Sequence, residues 1–231
     1  MGGESSSSIH LKNIFKLPKY SLNDSGKVVG LKDGKLGVFS DYIINIYEQI
    51  NYKEINQIKT KENIEKISNI IELDNNDLVL YCQENNGTEY HDDIIKIYKL
   101  KNGKYDNVQT ITDDMNDFKR IKYRINCRIC NTSYHLNGIL KISDNRFITI
   151  SSLGFKIYSY SNEDSKYSYF LKYQGNDYKS INKICEINNE LLIFARDFQT
   201  KGILALFSSE YDKVLVDKFD IKNKTAKRIW K

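Results

Sequence analysis

The sequence predicts an all-β fold in which four-stranded antiparallel sheets stack on one another. Three observations lead to this prediction. A pattern of apolar runs separated by short polar turns returns four times along the chain. The runs are rich in Ile, Val, Leu, Phe and Tyr, which suit a pleated, half-buried surface. The turns contain Asp or Asn, and pairs such as Asp-Gly and Asn-Asn tolerate the positive φ that tight hairpins require.

The repeating unit has two apolar runs joined by a turn, then a third run that ends in an aromatic residue. The turns lie at 32–35, 74–77, 143–146 and 188–190. The third runs end at Tyr47, Tyr98, Tyr158 and Phe207. A weaker fourth strand follows, so each unit has four strands. One such sheet cannot bury both faces, and the units must therefore pack against one another.

The third runs read I-N-I-Y, I-K-I-Y and F-K-I-Y, which alternates buried and exposed positions with a period of two residues. We expect Tyr47, Tyr98, Tyr158 and Phe207 to be buried between sheets. Ile46, Ile97 and Ile157 should then point to the opposite face.

These third strands resemble those of the WD40 repeat family, in which an Asp precedes an apolar–any–apolar–Trp run. Here Asp41–Tyr47 reads D-Y-I-I-N-I-Y and Asp92–Tyr98 reads D-D-I-I-K-I-Y. The third unit has Ser152 where Asp would stand, the fourth is more degenerate, and the Gly-His and Trp-Asp dipeptides are missing. A kelch-like propeller fits nearly as well. The resemblance implies a β-propeller of about four to five blades, closed or incomplete.

The predicted organisation has three parts. Residues 1–24 are a Ser-rich N-terminal segment that could supply a closing strand, 25–215 form the blades with an insertion at 112–137, and 216–231 form a basic C-terminal tail. Within the blades, Ile64, Ile67 and Ile71 lie at helical spacing, so a short helix over 59–73 is an alternative.

The net charge of +5 is a mild excess spread along the chain, which is weak evidence for a nucleic-acid or membrane partner. The N-terminus has no apolar region typical of a secretory signal, so we expect a cytoplasmic protein with reduced cysteines. Gly2 with Ser6 fits the loose pattern for N-myristoylation, and a membrane partner is expected only if Gly2 is acylated.

Cys127 and Cys130, with His135 nearby, are half of a possible zinc site. The alternation from Arg120 to Ile129 predicts a strand that would turn the two cysteines to opposite faces. We therefore expect no structural metal there.

The same predicted strand presents a basic face that could bind a phosphate backbone or an acidic protein. This patch consists of Lys119, Arg120, Lys122, Arg124 and Arg128. A solvated edge strand, whose charges discourage aggregation, is the alternative interpretation.

No catalytic motif is recognisable: the histidines His10, His91 and His135 stand in no known catalytic pattern, and no Gly-rich phosphate loop occurs. The sequence therefore predicts no enzyme and no cofactor. The family resemblance implies a non-catalytic scaffold that binds a protein partner, with self-association or a second chain completing the propeller. An RNA- or phosphoinositide-binding module is the first alternative, and a propeller-scaffold hydrolase or lyase is the second.

Overall fold

The computed structural model describes residues 26–62, 64–85, 91–112, 136–151, 154–174, 178–197 and 214–230. Within these ranges the chain forms sixteen strands and one three-residue 3-10 helix, Lys32–Gly34, in a hairpin turn. The all-β prediction is confirmed.

The strands form four four-stranded antiparallel sheets, each made of four consecutive strands. The first sheet contains β1 Lys27–Gly30, β2 Leu36–Phe39, β3 Ile43–Tyr47 and β4 Glu54–Lys59. The second contains β5 Glu65–Glu72, β6 Leu78–Asn85, β7 His91–Lys101 and β8 Lys104–Thr112. The third contains β9 Leu136–Ile142, β10 Arg146–Ser151, β11 Gly154–Ser161 and β12 Lys166–Gln174. The fourth contains β13 Tyr178–Ile187, β14 Glu190–Asp197, β15 Val214–Asp220 and β16 Thr225–Trp230.

The sheets stack in chain order, and one apolar cluster fills each of the three junctions between consecutive sheets. Ile44 and Leu80 share the cluster between the first two sheets, Val79 and Phe147 the next, and residues of β11 and β14 the third. The first strands of the second and third sheets, β5 and β9, lie close together, and Asn69 Nδ2 donates to the Ile139 carbonyl oxygen at 3.3 Å. This arrangement is propeller-like, and we call each sheet a blade.

The helix considered over 59–73 does not form, because β5 occupies 65–72. Its register against β6 shifts between Ile67 and Asn69, so Ser68 is an extra residue in the strand. The bulge places Ile67 and Ile70 in the same apolar cluster although they are three residues apart. The apparent helical spacing therefore comes from a bulged strand.

The fourth blade differs from the prediction. Its third strand is β15, 214–220, whereas the predicted third run and Phe207 lie outside the described residues. In the pairing register Phe219 lies opposite Leu191, as Tyr98 lies opposite Leu78 and Tyr158 opposite Phe147. Most of the segment predicted as a basic tail is thus strand, with β15 and β16 completing the blade. All four strands of this sheet come from residues 178–230, while residues 1–25 lie outside the described ranges.

The expected burial of Tyr47, Tyr98 and Tyr158 is confirmed, and Phe219 is fully buried as their fourth equivalent. Ile46, Ile97 and Ile157 are fully buried as well. In the second and third blades, both faces of the third strand are therefore interior, because a neighbouring blade covers each side.

The predicted alternation of buried and exposed positions is wrong for the polar residue at the centre of each third strand. These residues are Asn45, Lys96, Lys156 and, in the fourth blade, Asp217, and all four are buried. Buried polar groups need partners. Asn45 Oδ1 accepts from Gln57 at 2.8 Å, the Lys156 ammonium lies 5.3 Å from the Tyr169 ring centroid, and Asp217 binds Arg228. Lys96 pairs with Glu65.

Side-chain hydrogen bonds at equivalent positions also join the blades. We call these bonds polar clips, and they form where the first strand of one blade ends beside the hairpin turn of the preceding blade. Glu72 accepts from the backbone N–H of Lys32, and Glu186 accepts from the backbone N–H and hydroxyl of Ser143 at 2.8 and 2.6 Å. At the middle junction the charges are reversed, and Lys141 donates to Asp74. Each clip fixes the orientation of neighbouring blades in addition to the apolar contact.

Candidate functional site

A group of polar residues lies at one end of the first two blades. There β1 and β5 begin and the β2–β3 turn passes. Two backbone hydrogen bonds fix this end, from Ile67 N to Asp41 O at 2.6 Å and from Thr60 N to Tyr42 O at 2.9 Å. We call this region the rim. Its polar residues are Lys27, Asp41, Tyr42, Thr60, Lys61, Glu65 and Lys66.

Glu65 is the centre of the rim. Its side chain is 2% exposed and forms an ion pair with Lys96, whose side chain is 9% exposed. The second carboxylate oxygen lies 3.4 Å from Lys61 Nζ, and the backbone N–H of Lys61 donates to the carboxylate at 3.2 Å. One buried carboxylate thus positions two ammonium groups, one inside the junction and one at the surface.

The pKa of Glu65 is set by opposing effects. Burial raises it, but the hydrogen bonds from Lys96 and from the Lys61 backbone, together with both ammonium charges, outweigh burial and lower it below its usual value. Glu65 is therefore ionised at neutral pH, as the ion pair with Lys96 requires.

The Cys82 thiol lies in the same junction and is fully buried. Burial raises its pKa to about 12, although the charge of Lys96 opposes this shift. A thiol with such a pKa is protonated at neutral pH and is a poor nucleophile. Cys82 is a core residue and has no catalytic part in the rim.

The accessible part of the rim carries three lysines. Lys27 is exposed and donates to the Ser68 carbonyl oxygen at 3.3 Å, and Lys66 pairs with Asp41 at 3.0 Å. The Lys61 side chain is 63% exposed. Three ammonium groups therefore reach solvent and can contact an anion. Acidic side chains lie at the same end: Asp41, the exposed Glu62 next to Lys61, and the half-buried Glu84 opposite Glu65.

A second buried polar group lies on the other face of the second blade. The Tyr81 hydroxyl donates to Asp93 Oδ1 at 2.7 Å and accepts from Gln83 Nε2 at 3.3 Å. Burial and then the charge of Asp93 raise the pKa of Tyr81. Tyr81 belongs to the cluster facing the third blade, whereas Glu65 is paired on the face toward the first. The carboxylates of Glu65 and Asp93 therefore lie on opposite faces of the second blade and do not form one catalytic pair.

The site residues predicted from sequence all lie outside the described residues. This applies to the basic patch Lys119, Arg120, Lys122, Arg124 and Arg128, to Cys127, Cys130 and His135, and to Gly2. They stay predictions. Sequence reasoning missed the Glu65–Lys96 pair. The one feature of the sequence that could have indicated it is Lys96, a lysine at the centre of an otherwise apolar third strand.

Two kinds of feature are absent from the part of the chain that the structure describes. No group of three or more His, Cys, Asp or Glu in this part of the chain is arranged to hold a metal ion. No helix in the same ranges is long and apolar enough to cross a membrane.

Comparison with known proteins identifies a fold but no family. No family model matches the sequence, and no curated protein matches it. The chain is similar to the crystal structure of a putative 6-phosphogluconolactonase from Bacteroides fragilis, with a TM-score of 0.54 and 11% sequence identity. The match covers 88% of this chain and 52% of that one, so this chain spans about half the length of that structure.

This similarity changes two sequence-based expectations. The WD40 resemblance holds only at the level of a propeller-like fold, because the matched structure is not a WD40 protein. The interpretation as a non-catalytic scaffold, and with it the prediction of no enzyme, is contradicted, because the matched structure is that of a putative 6-phosphogluconolactonase. The hydrolase alternative agrees better with that finding.

Proposed function

We propose that this chain is a propeller-fold hydrolase that acts on a small anionic lactone or ester. The observation that carries the proposal is its likeness in fold to a putative 6-phosphogluconolactonase. One fold can host unrelated reactions, so residues must support the assignment as well. The accessible lysines of the rim provide that second support.

The rim suits an anionic substrate. The ammonium groups of Lys27, Lys61 and Lys66 are accessible at the end of the stack where β1 and β5 begin. A phosphorylated or carboxylated sugar derivative would be attracted to this end and held by charge-assisted hydrogen bonds.

The same residues could assist the reaction. In lactone hydrolysis, water adds to the carbonyl carbon, negative charge develops on the carbonyl oxygen, and the ring C–O bond then breaks to give a hydroxy acid. Lys61, positioned by Glu65, can stabilise the developing oxyanion. Asp41, an accessible carboxylate of the rim, can take a proton from the attacking water, and the leaving ring oxygen gains a proton.

Purified protein is expected to accelerate hydrolysis of 6-phosphogluconolactone over the spontaneous rate and to act less well on the unphosphorylated lactone. Lys61→Met should lower kcat/KM by about a hundredfold, the typical effect of losing one oxyanion donor. Lys53→Met, an exposed lysine beyond the other end of β3, is the matched control and should leave kcat/KM unchanged.

Two results would contradict the proposal. One is a hydrolysis rate equal to that of buffer for both lactones. The other is an equal change in kcat/KM for Lys61→Met and Lys53→Met, which would show that the rim takes no part in the reaction.

A further inference from the structure

The fourth blade has an apolar face turned away from the third blade, which we call the fourth-blade flank. In the pairing register Leu192 lies beside Cys185, and Phe194 lies beside Val216. Their neighbours Leu191, Ile193 and Phe219 point the other way, into the cluster with the third blade. The flank residues are Cys185, Ile187, Leu192, Phe194, Val216 and Trp230.

The flank repeats the surface that each earlier blade uses to bind the next one. Leu31 and Leu73 directly follow the first strands of their blades, Ile142 ends the first strand of its blade, and each is buried in the junction with the following blade. Ile187 is the fourth equivalent and is 50% exposed. Val79 and Ile148 are likewise fully buried, whereas their equivalent Leu192 is partly exposed.

The opposite end of the stack is different. Val38 and Tyr47 point away from the second blade, yet Val38 is only 1% exposed and Tyr47 is also buried. The outer face of the first blade is therefore covered at its centre. Within the described ranges, the fourth-blade flank has the residues of a blade-to-blade junction, but these residues are partly exposed to solvent.

We propose that the fourth-blade flank binds the same flank of a second copy of this chain, which gives an isologous two-fold dimer. A head-to-tail contact would need the outer face of the first blade, where the central residues Val38 and Tyr47 are already buried. Like surfaces can meet here because this face carries charges of both signs in nearly equal number: Glu190 pairs with Lys218 at 2.5 Å and lies opposite Asp220 in the register, and Lys183 and Lys227 are on the same face.

Two physical features favour this contact. Two twisted sheets pack face to face when apolar residues of their facing surfaces interdigitate, as the blades of this protein already do. Trp230 at the edge of the flank is 59% exposed, and aromatic side chains are enriched in protein interfaces.

Sedimentation equilibrium of the full chain tests the proposal. Wild-type protein should have the mass of two chains at concentrations of about 10–100 µM, as expected for a dissociation constant in the micromolar range. Phe194→Glu should shift it to one chain while the circular dichroism spectrum stays β-rich. The control Val28→Glu, at an exposed position of the first blade, should remain a dimer.

Crosslinking of wild-type protein gives a readout that does not depend on how the variants fold. A short bismaleimide should join Cys185 of the two copies, and Cys185→Ser should abolish that peptide pair in mass spectrometry. Three results would overturn the proposal. They are a monomer across the concentration range, an open-ended series of larger oligomers, and a dimer in which Cys185 of the two copies is not crosslinked.

Discussion

Replacing Phe219 with alanine is expected to lower the free energy of unfolding by about 3–5 kcal/mol, the usual cost of truncating a fully buried phenylalanine. The Phe219 side chain has no exposed area. Its ring makes an edge contact with Phe155 at a centroid distance of 5.4 Å and a tilted contact with Tyr173 at 4.9 Å. Alanine would leave a cavity between the third and fourth blades, and urea denaturation measures the loss.

Phe170→Ala is the matched control, because Phe170 is on β12 and is exposed. Its effect should stay below about 1 kcal/mol, as for surface substitutions in general. If Phe219→Ala and Phe170→Ala had the same small effect, Phe219 would not occupy the aromatic position of the fourth blade. The strand register described above would then be wrong.

Lys96→Met is expected to cost about 3–5 kcal/mol, because it leaves the buried Glu65 carboxylate without its main ion-pair partner. The double variant Lys96→Met with Glu65→Leu should recover most of this loss, since two apolar groups replace two charges. Lys66→Met is the control. It removes a partly exposed pair with Asp41 and should cost at most about 1 kcal/mol. If the losses in unfolding free energy of the two single variants simply added in the double variant, the two side chains would not be coupled.

The Glu65 pair also gives a defined pH dependence. Because the folded-state pKa of Glu65 is lowered, its contribution to stability is fully present above the unfolded value of about 4.3 and is lost as pH falls through the folded pKa. The difference in unfolding free energy between wild type and Glu65→Gln should therefore be largest near neutral pH and shrink in acid. A difference that stays constant to pH 3 would show that Glu65 carries no such pKa shift.

Local sequence signals predicted the first three blades because their strands and turns are contiguous. The turn pairs Asp33-Gly34 and Asp144-Asn145 adopt positive φ, as the residue types indicate. The fourth blade was misplaced for a physical reason. Its third strand has Asp217 at a buried position and Lys218 beside it, so an interior strand resembles a charged tail.

The rim could not be predicted in this way. Glu65 and Lys96 are 31 residues apart in sequence, and the register of three strands brings them together. A lysine that alternates with isoleucines is usually at a solvent-facing position, and only stacking on both faces makes Lys96 interior. The functional interpretation as a scaffold came from a family resemblance, and the prediction of no enzyme came from the absence of a recognisable catalytic motif. A site assembled from distant residues leaves no such local motif.

The most direct test of the four-blade architecture is hydrogen exchange of the segment 214–220, measured on peptides by mass spectrometry. β15 pairs with β14 on one side and β16 on the other, so its backbone amides should exchange as slowly as those of β7 in the second blade. The exposed turn at 222–224 should exchange fast in the same experiment. Exchange of 214–220 as fast as that of the turn would contradict the account, because this segment would then be a tail and not the centre of a fourth blade.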